Sequence, residues 1–132
     1  MGQTSVTAVR GSETFPCDIN FSDAEPHWIS AKISGLFDHE GPCQDVFDGL
    51  CDIRKKLWPM GIKLLCVGAR MDVYPSGMAR QMSGGVVAYR LKMGVPAQRP
   101  DVVRIFDAAA ADQVGTVEEQ ADYFRRWSAS LK

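Results

Sequence analysis

The stretch Asp45-Val46-Phe47-Asp48-Gly49-Leu50-Cys51-Asp52-Ile53-Arg54-Lys55-Lys56-Leu57-Trp58 decides the fold class. Val46, Leu50, Ile53 and Leu57 recur at the spacing that lines one side of an α-helix, with Phe47, Cys51 and Trp58 beside them. Asp45 and Asp48 stand near the N-terminal end and Arg54, Lys55 and Lys56 near the other, the polarity that the helix dipole favours. Pro59 and Gly61 stop it. Such a helix must lay its apolar stripe on a partner layer, and the residues before it supply strands.

Thr4 to Arg10 reads as a short strand and Gly11-Ser12 as a hairpin turn. Phe15, Cys17, Ile19 and Phe21 then keep the strict period of two that marks a strand with one buried face. Pro16 cannot donate to a ladder, which predicts an edge position for that strand. Trp28 to Ser34 makes a third strand with Ile29, Ala31 and Ile33 on one face, and Asp38-His39-Glu40-Gly41-Pro42 breaks the pattern.

Downstream of the helix, Ile62 to Val67 is apolar but for Lys63, as expected of a strand covered on both faces in mid-sheet. Val86 to Met93 is another strand. Asp101 to Asp107 reads as a strand through its branched residues, although Pro100 and the alanines 108 to 111 would equally suit a helix. Thr116-Val117-Glu118-Glu119 is a capping box opening a last helix with Val117, Ala121, Phe124 and Leu131 on one side and Trp127 nearby. The order βββαβ(loop)ββα does not alternate as a doubly wound fold does. It predicts one α+β domain over residues 1–132, a mostly antiparallel sheet of five to six strands with two main helices packed on one face.

Apolar residues make up 45% of the chain and charged residues 23%, which excludes the charge-rich, apolar-poor profile of a disordered protein. No apolar run approaches the length of a membrane span, and the first residues lack the layout of a signal peptide. Val6 also breaks the myristoylation pattern. Cys17, Cys43, Cys51 and Cys66 form no C-x-x-C and show no metal-ligand spacing. The expectation is a cytoplasmic protein with reduced thiols, no metal, no cofactor and no membrane.

The net charge of −1 is unevenly spread. Residues 1 to 60 carry five Lys/Arg against nine Asp/Glu, and residues 100 to 132 four against six. Residues 61 to 99 carry Lys63, Arg70, Arg80, Arg90, Lys92 and Arg99 against Asp72 alone. This basic island could meet nucleic acid, but the isoelectric point of about 6.1, the acidic flanks and the lack of a zinc-finger, RRM or KH signature argue against it.

Within the island lies the long connection 68–85, of a length that is often functional in a compact domain. Its second half reads as a short helix, with Ser76 as N-cap after Pro75 and Gly84-Gly85 as the stop. Amides at Gly77 and Met78, the Ser76 hydroxyl and a nearby Arg70 or Arg80 would make an anion site for a phosphate or carboxylate. The structural reading has Tyr74, Met71 and Met78 plugging the open end of the core, with Asp72 paired to an arginine. Four of the six methionines, Met71, Met78, Met82 and Met93, fall in this region and, with Tyr74 and the arginines, could instead face a protein partner.

For nucleophilic chemistry the candidates are Cys66 and Ser76 with His27, His39 or Asp72 as base, but no spacing fixes a pair. The functional expectation is therefore a small binding module that engages a protein partner or an anionic small molecule through Arg70, Asp72, Tyr74, Ser76, Gly77 and Arg80. The alternative is a small enzyme acting on a phosphorylated or carboxylated substrate, Arg70 and Arg80 holding the anion and Asp72 or Tyr74 moving protons. A homodimer through the Pro16 strand or the methionine patch is a third arrangement.

Overall fold

The computed structural model describes all 132 residues and has the mixed helices and antiparallel strands of an α+β fold, divided between two sheets. Strands β1 (Gly2–Arg10), β2 (Glu13–Ser22), β3 (Trp28–Ile33) and β4 (Phe37–Pro42) follow one another as a meander. Strand β5 (Lys63–Leu65) returns to the free side of β1, giving the order β4-β3-β2-β1-β5. Every pairing is antiparallel. The turns reverse at Gly11 and Gly35, whose φ values of 60° and 75° lie in the left-handed region that glycine enters without a Cβ clash.

The register sorts the side chains by face. Val6 lies opposite Cys17 and Ile19 opposite Ala31, all buried. Ser5 lies opposite Asp18, Asp18 opposite Lys32 and Lys32 opposite Asp38, leaving the other face polar. Helix α1 (Val46–Leu57) covers the apolar face with Leu50, Ile53 and Leu57, each fully buried. At Gly49 the helix comes so close to β3 that a Cβ would stand 2.6 Å from the Ile29 Cγ2. Here any side chain would push the two layers apart.

Three strand expectations are corrected. Residues 37–42 do not break the sheet: they form its outer strand β4, where Asp38 and Glu40 face solvent and charge is tolerated because only one flank is paired. Strand β2 is internal from Asp18 onward, paired with β1 on one side and β3 on the other, and only its first residues lack the second neighbour. Pro16 is accommodated because β3 pairs only from Asp18 onward, and beyond that point the second flank of β2 has no ladder to lose. Residues 62–67 lie at the end of the sheet, not in its middle. The far flank of β5 is closed by a loop instead, Ala109 N–H donating to Leu65 O and Val67 N–H to Asp107 O.

The second sheet is small, with order β6-β7-β8: β6 (Val73–Tyr74), β7 (Val87–Arg90) and β8 (Val102–Arg104). The segment 101–107 thus contains a strand, and Pro100 lies in the 3₁₀ turn before it. Between β6 and β7 sits the short helix α2 (Gly77–Ser83), capped by the Ser76 Oγ and ended by Gly84 at φ 65°. Helix α3 (Val117–Ser130) opens on the reciprocal Thr116/Glu119 capping box and packs against β6 and α1. One contiguous core runs from Val6 through Leu50 and Leu64 to Val73, Ala88 and Ile105. No helix is long and apolar enough to cross a membrane.

Candidate interaction surface

The connection 68–85 is shaped by ion pairs. Arg70 donates from Nε and Nη2 to the two carboxylate oxygens of Asp72, both at 2.8 Å, and Arg90 Nε approaches the same carboxylate at 3.6 Å. This bidentate bond raises the Arg70 pKa, burial opposing it. Ten residues on, Arg80 reaches back to the N-terminus of α1. Its Nη1 donates to Asp45 Oδ2 at 2.8 Å and to Asp48 Oδ1 at 2.9 Å. Asp45 is itself the N-cap of α1, its Oδ1 accepting the Asp48 N–H at 2.8 Å. Burial works against the Arg80 charge, but bonds to the two carboxylates outweigh it and its pKa is raised.

The guanidinium of Arg80 also lies over two rings, 5.3 Å from the Phe47 centroid and 5.5 Å from that of Tyr74. Tyr74 meets Phe47 edge-on and stacks on Phe124 at 4.3 Å, and Phe124 continues to Trp127. Tyr74 and Arg80 therefore share one cluster, and Arg70 and Asp72 another. Ser76 spends its Oγ on the Ala79 N–H at 3.0 Å, and Gly77 is exposed beside it. In space Arg70 faces Asp72 and Arg80 faces acids from the acidic first part of the chain, while Lys63, Lys92 and Arg99 of the basic island make no ion pair.

The methionines divide. Met71 is half-buried against Gly115, consistent with core plugging, whereas Met78 and Met82 on α2 are 69% and 81% exposed. Met78 is thus not a plug, which corrects the structural reading of that residue. One helical turn apart, the two form an apolar pair on the outside of α2.

Sequence reasoning missed the polar centre of this half. Arg54, only 6% exposed, donates to Gln120 Oε1 at 2.6 Å and to the carbonyl of Gly115 at 2.8 Å, with longer bonds to Gly68 O and Ala69 O. Burial lowers its pKa. Gln120, 1% exposed, donates from Nε2 to the carbonyls of Gly68, Arg70 and Val73 at 2.8–2.9 Å. These bonds satisfy carbonyls that no strand ladder reaches. A signal was present: Gln120 stands on the inward stripe of α3, between Val117 and Phe124 at helical spacing.

The catalytic candidates do not meet. Cys66 is fully buried, and burial pushes its thiol up to about 12. Cys17, Cys43 and Cys51 are raised to about 11, burial again leading. His27 Nδ1 bonds the Ser22 carbonyl, and His39 Nδ1 accepts from Lys56 at 2.9 Å. Burial and then the Lys56 charge lower the His39 pKa. No three His, Cys, Asp or Glu side chains converge as a metal would need. Comparison with protein-family models and with curated proteins returns no match.

Proposed function

We propose that the chain is a small cytoplasmic binding module that engages a protein partner through the segment 68–85, with α2 as the contact. One observation carries this reading: Met78 and Met82 expose their side chains together on a helix held in place by the Arg80 ion pairs. Methionine pairs on a fixed helix supply flexible, polarizable surface to a partner, and a rigid support lowers the entropy lost on docking. The anionic-ligand reading is less well supported, since Arg70 and Arg80 already spend donors on carboxylates.

Two measurements test the reading. The Met78→Ser/Met82→Ser protein should melt within a few degrees of the wild type, because both side chains lie outside the core. It should also lose a partner that the wild type retains at fixed stoichiometry from native extract. Equal retention by both proteins would remove α2 from the contact. A thermal-shift screen of wild type against Arg70→Ala/Arg80→Ala, with phosphorylated and carboxylated metabolites, should show no compound that stabilises only the wild type. Such a compound would return the anion site to first place.

A further inference from the structure

Beside α2 runs a groove that the docking reading does not use. It consists of two depressions, of about 590 and 530 Å³, that adjoin at Pro42, Cys43 and Gln44, which line both. One end is bounded by Glu25, Pro26 and His27, and the other by Phe47, Cys51, Tyr74 and Val117. The Gly84 that ends α2 packs against the Asp23 carbonyl and His27 at the first end, and Arg80 of α2 covers Phe47 and Tyr74 at the second.

Apolar side chains line one end of it and its charge is acidic. Glu25, Asp48 and Asp52 line it against a single lining cation, Lys55, and the charge of Arg80 is already shared between Asp45 and Asp48. The Asp45, Asp48 and Asp52 charges each raise the Cys43 thiol further after burial has done so, which places that thiol in a negative field. A low-dielectric concavity lined by one sign of charge focuses its field on an incoming group of the opposite sign.

Resting on the docking reading above, we infer that the partner is basic, and that this groove takes an extended segment in which Lys or Arg alternates with an apolar side chain. The apolar group lies over Cys51 and Tyr74. The cations face Asp52 and Glu25, the two carboxylates of the groove lining that make no ion pair. Charge complementarity of this kind selects a partner and speeds its approach.

The test uses the ¹⁵N-labelled full chain titrated with acetyl-Lys-Leu-Lys-Leu-Lys-amide and with its acidic twin, acetyl-Glu-Leu-Glu-Leu-Glu-amide. The basic peptide should give saturable shifts at Cys43, Gln44, Cys51 and Asp52, and the acidic one none. The Glu25→Lys/Asp52→Lys protein, altered only at exposed positions, should bind the basic peptide about tenfold more weakly. Equal response to both peptides, no groove shifts with the basic one, or undiminished binding by the charge variant overturns the inference. The Met78→Ser/Met82→Ser protein separates the two readings. Groove binding that persists in a variant still retaining its partner leaves this inference standing while the α2 contact falls; partner loss with no groove binding does the reverse.

Discussion

Up to β5 the chain builds by repetition: long neighbouring strands lie in register, Val6 against Cys17 and Ile19 against Ala31, and one helix closes the apolar face. Beyond Cys66 no strand exceeds four residues, and the segments are gathered by polar side chains, with Arg54 and Gln120 holding the carbonyls of Gly68, Ala69, Arg70, Val73 and Gly115. The first part is organised by burial, which is non-directional and forgiving of small shifts. The second is organised by directional bonds in a low-dielectric interior, where each missing donor leaves a carbonyl orphaned.

The largest expected effect tests that contrast directly. Arg54→Leu strands two buried acceptors, Gln120 Oε1 and the Gly115 carbonyl, weakens the support of Gly68 O and Ala69 O, and should cost about 3–5 kcal/mol. Leu50→Ala, a cavity in the shared core, should cost about 2–5 kcal/mol. Native-state hydrogen exchange distinguishes them. Loss of Leu50 should reduce protection throughout, whereas loss of Arg54 should reduce it first in residues 66–74 and α3, with β1 to β3 still protected. Uniform loss in both proteins would mean that the two parts open as one unit.

A smaller change sharpens the point. Gln120→Glu retains an acceptor for Arg54 and even supplies a charge opposite it, yet replaces the Nε2 donor with an oxygen facing three carbonyls. Destabilisation of about 2–3 kcal/mol in urea is expected. A more stable Gln120→Glu protein would show that the buried guanidinium lacks a counter-charge more than the carbonyls lack a donor.

The same contrast explains what was legible beforehand. Periodicity recovered α1, α3 and the first three strands, because burial repeats along the chain and leaves its period in the residue types, while the Thr116–Glu119 box marked the start of α3. Strand β4 was hidden because its outward positions hold Asp38 and Glu40, and an edge has no second neighbour to demand apolar residues. Ser76 and Gly84 marked the ends of α2 through local backbone chemistry. The partners of Arg80 were not legible: Asp45 and Asp48 lie more than thirty residues away, and a long-range ion pair has no period. The charge count along the chain thus could not tell that Arg80 is met by two carboxylates while Lys63, Lys92 and Arg99 stay without an ion pair.

Alkaline pH gives the mildest probe of the two parts. An unfolded cysteine gives up its proton near pH 9, but folded Cys66 holds its proton until about 12. Stability is therefore complete below pH 9 and falls as pH climbs toward 12, since only the unfolded chain gains from ionising. The loss approaches about 1.4 kcal/mol per pH unit for this thiol, and the difference in urea midpoint between wild type and Cys66→Ala isolates it from the tyrosines. Labelling then locates the opening. Cys17 in β2 and Cys66 after β5 are both fully buried, so neither reacts with a thiol reagent until its surroundings open. If the polar frame opens alone, Cys66 should label at least about tenfold faster than Cys17 at pH 9, a difference of about 1.4 kcal/mol in opening free energy. Equal rates would place Cys66 within the repeating sheet, and the boundary between the two parts would lie further along the chain, beyond Val67.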